Sequence, residues 1–369
     1  MTDRRQLEWL WFSAVLGAGA AHYGQVLALY GSPGELYDAV GKEDMSGLLT
    51  PAQLRRCETL TPQRFEPLLA RCERMGIRVL CLDEEDYPAR LAPLSDAPPV
   101  LFCTGNVSAL SQPAAVAMIG SRRPSSYGVE AAALIGSQLA QAGVCLVSGL
   151  ADGLDSEAHK AAVAAGAPTV GVLGTAIDKT YPAINRRLRS EMEQGCGAVI
   201  SEFAPGEATG AGGFLLRNRL IAALSDAVCV VEARQKSGTM NTVNHAKRYG
   251  RTVFAVPGAI FSPLCGGTNQ LLDEGQAHAA SSAAPILRHL GIEPAPQKSV
   301  SRRARPAAPN LNLSAEAKAM QKALTSQAQG LEPLAKAAGL SAGQALAALM
   351  ELEVSGIAVS GAGGQYRRA

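Results

Sequence analysis

Three short segments of the sequence combine cations with small or hydroxyl residues: Gly120-Ser121-Arg122-Arg123, Arg217-Asn218-Arg219 and Lys236-Ser237-Gly238-Thr239. Glycine lets a main chain approach an anion closely, and a helix starting beside it offers unpaired N–H groups and a favourable dipole. Arginine adds a forked donor matched to phosphate oxygens, and lysine a compact charge. Ser148-Gly149-Leu150-Ala151-Asp152-Gly153-Leu154-Asp155 and the aromatic Phe214 occupy comparable positions nearby. Any one segment reads equally well as an ordinary turn with solvated charges. Three of them converging on one sheet edge favour a phosphate-binding pocket.

More specific motifs fail. No G-x-x-x-x-G-K-[ST] occurs, which leaves P-loop ATP hydrolysis unsupported, and the turn after Ile119 lacks the G-x-G-x-x-G of a dinucleotide site. Leu146 stands where a nucleophile elbow around Ser148 needs glycine. Gly17-Ala18-Gly19-Ala20-Ala21-His22 nearly matches the dinucleotide fingerprint but follows a helix, and reads as a helix–helix turn. Asp155 and His159, one helical turn apart, could share a metal; an acid at a helix N-terminus satisfying its neighbouring histidine is the simpler reading. Glu202 and Glu232 could form a general acid/base pair, but more simply orient basic groups or fasten strand ends. No cofactor and no metal is expected.

The elements that must position these residues follow from the apolar pattern. Val- and Ile-rich runs at Val116–Ile119, Val144–Val147, Thr169–Leu173, Ala198–Ile200, Ala227–Val231 and Thr252–Val256 alternate with helical patterns. The helices expected are Tyr127–Ala142, Asp155–Ala165, Asn185–Gln194, Asn218–Leu224 and Thr239–Tyr249. This is the βαβ signature of a doubly wound parallel sheet whose strands are buried on both faces. Ligands of such sheets bind beyond the C-terminal strand ends, where the Gly-, Ser-, Arg- and Lys-rich segments fall.

Residues 1–75 read as short helices, with stripes at Leu7–Leu16, Ala20–Tyr30 and Pro62–Met75. Residues 76–292 form the α/β core. Residues 293–310, with Pro294, Pro296, Pro306, Pro309 and four cations, read as an extended basic linker. Within 311–369, helices at Leu313–Thr325, Leu331–Ala338 and Ser341–Leu352 and a ribbon at Ile357–Ser360 and Gln365–Arg368 outline a winged helix; a plain helical bundle is the alternative. The 369 residues are 47% hydrophobic with a net charge of +2, ample for a core and too balanced for a generally basic surface. The charge is uneven, with −3 over residues 1–90 and +4 over 291–369. Eight cysteines without a C-x-x-C suit buried thiols in a reducing compartment. With no signal-like run and no apolar stretch of about 18 residues, a cytoplasmic protein is expected.

The order and spacing of several motifs resemble the DprA/Smf family of DNA-processing proteins. They are Val116–Arg122 with Pro124, Tyr127 and Gly128; Ser148–Asp155 with His159; Tyr181-Pro182; Ser201-Glu202; Phe214 with Arg217-Asn218-Arg219; Glu232-Ala233 with Lys236–Thr239; Gly250-Arg251; and Val256-Pro257-Gly258. The resemblance implies an N-terminal SAM-like helical domain, an extended Rossmann-like core and a C-terminal winged-helix-like domain. It further implies a homodimer that binds single-stranded DNA, loads the RecA recombinase onto it during natural transformation, protects incoming DNA, and relieves inhibition by single-stranded DNA-binding protein. The DNA pocket it implies is Gly120, Ser121, Arg122, Phe214, Arg217, Asn218, Lys236, Ser237, Gly238 and Thr239; Arg123, Ser148 and Arg219 join it as neighbours on the same segments. Leu215 or Leu216 replaces a proline usual in the family, and the residues around Met240-Asn241-Thr242 also depart from its pattern. A Rossmann-like nucleotide phosphoribohydrolase is the rival, with Glu202 or Glu232 as its acid, though its Pro-Gly-Gly-x-Gly-Thr signature is missing. A transcription factor built on the C-terminal module is a third reading, which leaves the three segments without a purpose.

Overall fold

The computed structural model describes residues 4–294, 313–325, 329–361 and 364–368. The chain packs as two units, Met1–Ala295 and Pro296–Ala369. The linker expected over 293–310 lies, past residue 294, outside the described residues.

Five α-helices precede the sheet: α1 (Arg4–Leu16), α2 (Tyr23–Tyr30), α3 (Pro33–Ala39), α4 (Pro51–Thr59) and α5 (Glu66–Arg74). Apolar periodicity misses α3 and α4, which are short and only sparsely apolar, yet local chemistry defines both. Ser32 and Thr50 cap them, accepting hydrogen bonds from the N–H groups of Glu35 and Gln53, and a proline follows each cap. The helix expected over Pro62–Met75 divides into a 3₁₀ turn, Pro62–Phe65, and α5, because Pro67 has no N–H to give the preceding turn. The helix expected from Ala20 starts at Tyr23, since Gly17 (φ 83°) and Gly19 (φ 74°) turn the chain through the left-handed region.

The sheet has nine strands: β1 (Arg78–Cys81), β2 (Val100–Gly105), β3 (Ala115–Ile119), β4 (Cys145–Ser148), β5 (Thr169–Val172), β6 (Gly197–Ser201), β7 (Ala227–Val230), β8 (Thr252–Ala255) and β9 (His278–Ala279). Their order is β1-β2-β6-β5-β4-β3-β7-β8-β9. From β6 to β9 every pairing is parallel, whereas β2 is antiparallel to β6, and β1 to β2. The six expected strands are all present. β1 and β2 carry no crossover-helix spacing and are missed for that reason, and β9 is missed because it is only two exposed residues without an apolar run. The helices between them are α6 (Ser126–Gln141), α7 (Leu154–Ala165), α8 (Arg186–Gln194), α9 (Gly212–Ala223), α10 (Gly238–Arg248), α11 (Gly266–Asp273) and α12 (Ala284–His289).

Strand alternation divides the core. Ala115, Ala117 and Ile119 face one layer with Leu220 and Val243, while Val116 and Met118 face the other with Ile135 and Leu139. A third cluster joins Trp9, Trp11 and Phe12 of α1 to Val79, Phe102, Leu150, Leu173 and Val199 of the sheet region. Trp11 is wholly buried, and its indole N–H donates to the Leu60 carbonyl at 3.0 Å. The helices before residue 76 therefore share a core with the sheet. Seven cysteines are buried and Cys196 is exposed; all eight are free thiols.

The second unit contains α13 (Ala315–Ala323), β10 (Gln329–Gly330), α14 (Leu331–Ala338), α15 (Ala342–Val354), β11 (Ala358–Gly361) and β12 (Gln365–Arg368). The strands pair antiparallel in the order β10-β12-β11, and the helices close over Met320, Leu334, Leu349 and Leu352. Ser341 and Gln344 form a capping box at α15, and Gly339 ends α14 in the left-handed conformation (φ 67°). Three helices with a three-stranded ribbon make a winged helix. Among the described residues, no helix is long and apolar enough to cross a membrane.

Candidate nucleic-acid interface

The chain builds β3 first, winds outward through β4, β5 and β6, then returns to place β7 on the other side of β3. Connections leave β3 and β7 in opposite directions, so a crevice opens between their C-terminal ends. Such a switch point is where a doubly wound sheet accepts a ligand. The segment 120–125 leaves β3 there, and 231–237 leaves β7.

Both connections are held firmly. Glu232, wholly buried at the end of β7, accepts from the Ser125 N–H at 3.0 Å and from the Ser125 hydroxyl. Ser125 in turn caps α6 through the Gly128 N–H at 3.1 Å. Thr239 donates to the Gly120 carbonyl at 3.3 Å, tying α10 to the first connection. Gly153 (φ 74°) opens α7 with its Cα against the Ser121 carbonyl, where no side chain fits. Glu232 thus fastens strand ends, as one of its expected roles had it.

A pocket of about 380 Å³ fills the crevice, and Gly120, Ser121, Arg122, Phe214, Arg217, Asn218, Ser237, Gly238 and Thr239 all line it. The N-terminus of α10 opens onto it, and the Ser237 hydroxyl there has no protein partner. Arg122 is exposed, its guanidinium 5.6 Å from the centre of the Phe214 ring. Asn218 bridges α9 to α10, donating to Asn241 Oδ1 at 3.3 Å.

Four expected residues fall elsewhere. Ser148 is fully buried, its hydroxyl donating to the Met118 carbonyl at 2.6 Å within the sheet. Arg123 and Lys236 are exposed on the pocket's two connections but outside its lining. Arg219 is buried in an ion pair with Glu202, in which both side chains are only 4% exposed. The reason is helical. The expected helix from Asn218 starts at Gly212, so Phe214, Arg217 and Arg219 belong to α9. Positions 217 and 219 then lie about 200° apart around its axis.

Arg217 faces the pocket from a buried position. Its guanidinium donates to the carbonyls of Gly149, at 2.5 Å, and Val172, and a Cβ on Gly149 would collide with it. Burial lowers its pKa to about 10, against the pull of Asp155 and with a push from Arg122. Arg217 is thus charged at neutral pH and lacks a full counter-ion. Asp155, which periodicity did not single out for the pocket, lines it and accepts from the Gly149 N–H at 3.1 Å; burial raises its pKa. Arg234 also lines the pocket. Its place on the Glu232–Thr239 segment was the available signal. The Asp155–His159 pairing fails as well. His159 Nδ1 meets the Thr169 hydroxyl at 2.8 Å, and burial drives its pKa down to about 3. Among the described residues, no group of three His, Cys, Asp or Glu could hold a metal.

Comparison with known proteins agrees with this architecture. Residues 78–291 match the DNA recombination-mediator protein A family, and residues 303–364 match the DprA winged helix domain. The DNA processing protein DprA of Streptococcus pneumoniae is 40% identical over 204 residues, covering 55% of this chain and 71% of the relative. That of Bacillus subtilis is 34% identical over 223 residues, covering 60% of this chain and 74% of the relative. The X-ray structure of Streptococcus pneumoniae DprA superposes with a TM-score of 0.65 at 31% identity, over 77% of this chain and 97% of that one. A Helicobacter pylori DprA structure, described for its single-stranded DNA binding mode, superposes with a TM-score of 0.53 at 33% identity, over 58% and 95%. Together, the matched residues and superposed folds show that this chain belongs to the DNA recombination-mediator protein A family, DprA.

Proposed function

We propose that this protein binds single-stranded DNA in the β3–β7 crevice and acts as a recombination mediator in DNA processing. In this reading it works as a cytoplasmic homodimer, protects incoming DNA, loads the RecA recombinase onto the bound strand, and relieves inhibition by single-stranded DNA-binding protein. The observation that carries it is the pocket. An open helix N-terminus with an unpartnered hydroxyl, three arginines (Arg122, Arg217 and Arg234) and an aromatic ring converge on one cavity at the switch point. The helix end and the cations suit phosphate, and the ring suits a base, which is the combination a single strand requires. The relative from Helicobacter pylori, described as a single-stranded DNA binder, supports the same assignment.

The hydrolase reading, as framed from the sequence, needs Glu202 or Glu232 free at the pocket, although Asp155 does line it. Glu202 is engaged by Arg219, and Glu232 by Ser125. Neither lines the cavity.

Titration of the full chain against matched single-stranded and duplex oligonucleotides, at several salt concentrations, tests the proposal. The expected result is tighter, sequence-tolerant binding of the single strand. Equal or tighter binding of duplex, or release of free base from nucleoside monophosphates, overturns it.

A further inference from the structure

We propose that the bound strand continues beyond the pocket in both directions along the C-terminal edge of the sheet, with Tyr181 and Phe261 serving as base-stacking platforms on opposite sides of the phosphate-binding centre. The inference rests on the single-strand reading above and extends it.

It starts from where apolar surface remains uncovered. Isolated exposed apolar side chains are normal on any protein. In residues 4–294, however, the large ones are concentrated: Tyr127, Tyr181, Ile184, Leu215, Ile260 and Phe261 all lie on connections leaving C-terminal strand ends, or in the first turn of the helices those connections enter. Leu29, Met75 and Leu134 are the others. Phe261 is 93% exposed and Tyr181 is 55% exposed. Nothing in the packing of the fold accounts for leaving two aromatic rings in water.

Each ring is joined to the pocket by continuous structure. Tyr181 follows β5 and lies 5.2 Å, centre to centre, from Phe214. A cleft of about 50 Å³ beside the two rings is also lined by Arg122 and Arg217, which it shares with the main pocket. Phe261 sits on the connection after β8. That connection is anchored at both ends: Gly258 and Asn269 exchange two hydrogen bonds of 3.1 Å, and the Tyr127 hydroxyl donates to the Pro257 carbonyl at 2.6 Å. The Gly267 N–H donates to the carbonyl of Ala233, a residue of the pocket wall, at 2.7 Å. The segment carrying Phe261 is thus fixed against the site.

β5 and β8 are four strand spacings apart, or about 19 Å across the sheet. Between them lie the cations and the open end of α10. An apolar partner protein would need one contiguous patch. Here the apolar rings flank a charged centre, the pattern of a track for a single strand, whose phosphates need cations and whose bases need flat apolar surface.

The test uses the full chain with Tyr181→Ala and Phe261→Ala, both at exposed positions. Affinities are measured for oligo-dT of about 4 and about 16 nucleotides, and for a long strand made abasic outside its centre. The expected result is that each variant binds the long strand about fivefold or more weaker, with the salt slope unchanged. The short and abasic strands should not respond, and Tyr181→Phe should restore binding. Wild-type affinity of both alanine variants for the long strand overturns the proposal, and so does an equal loss on the abasic strand. A change in sedimentation with intrinsic affinity preserved marks a contact between protein copies and also overturns it. If only this extension is wrong, Arg122→Ala still weakens binding. If the single-strand reading itself is wrong, wild type shows no preference for the strand, Arg122→Ala has no effect, and both proposals fall together.

Discussion

Helix α9 places two arginines in the interior and uses them differently. On one side Arg219 meets Glu202 in a closed pair, both side chains almost wholly buried. On the other side Arg217 is just as buried but leans on backbone carbonyls, with Asp155 nearby and a cavity in front. A buried charge facing an opposite charge spends its field on that partner, even though the Arg219 Nε itself makes no hydrogen bond. A buried charge whose partners are mostly neutral keeps field to spare, and that field is directed at the crevice. Two residues of spacing on one helix separate an ion-paired group from one that faces the pocket.

The comparison is most exposed to failure at the closed pair. Glu202→Gln leaves Arg219 charged and unpaired in the interior, and should cost about 3–5 kcal/mol in urea unfolding. DNA affinity of the protein that remains folded should not change. If affinity falls with stability intact, the two sides of α9 are not distinct. Arg217→Met should do both things at once, costing about 1–3 kcal/mol because the Gly149 and Val172 carbonyls lose their donor, and weakening single-strand binding. A Lys at 217 should not restore binding, since one ammonium cannot replace the fork.

His159, buried beneath the sheet and within the field of Arg217, gives a pH signature of that charge. Burial first, and Arg217 second, depress its pKa from 6.5 to about 3, so between those values the unfolded chain binds a proton that the folded chain refuses. This contribution to stability is fully present above pH 6.5 and is lost as pH falls toward 3. Relative to His159→Gln, wild type should lose up to about 1.4 kcal/mol per pH unit in that window. Thermal or urea unfolding at several pH values reads the difference. Parallel curves for the two proteins would remove the buried neutral histidine from the account.

At the mouth of the pocket the effects on stability should vanish. Arg122→Ala should change unfolding by less than about 0.5 kcal/mol and lower the log–log salt slope of binding by about 0.7. Removal of residues 293–369 should be milder still, leaving single-strand binding unchanged or modestly reduced, as measured by the same titrations. Complete loss of binding by that folded truncation would move the main site out of the crevice.

Much of this arrangement is legible in the sequence, for identifiable reasons. Strands β3 to β8 announce themselves because near-continuous Val and Ile runs suit strands buried on both faces of a sheet. The pocket loops Gly120–Arg122 and Ser237–Thr239 stand out because close backbone approach to an anion, which the proposal requires of them, depends on glycine and serine that are visible locally. Arg217 and Arg219 cannot be separated this way. Their difference is angular, and it appears only once α9 is known to begin at Gly212. Asp155 is visible within Ser148–Asp155 but not as a pocket residue, since that segment turns through Leu150, whose φ of 52° no composition rule predicts for leucine. Strands β1 and β2 are paired antiparallel on an otherwise parallel sheet, so the spacing that reveals their neighbours does not apply to them.

The cluster that joins α1 to the sheet also sets a schedule for synthesis. Trp9, Trp11 and Phe12 leave a ribosome well before Val199, which belongs to the same cluster and is made about 190 residues later. At 5–20 residues per second that interval is roughly 10–40 s. During it the amino-terminal helices pack on one another and on β1 and β2, while the part of the cluster supplied by Leu150, Leu173, Ile177, Leu188, Met192 and Val199 is still to come. A chain cut short before β6 would therefore keep most of this cluster but leave one side of it uncovered.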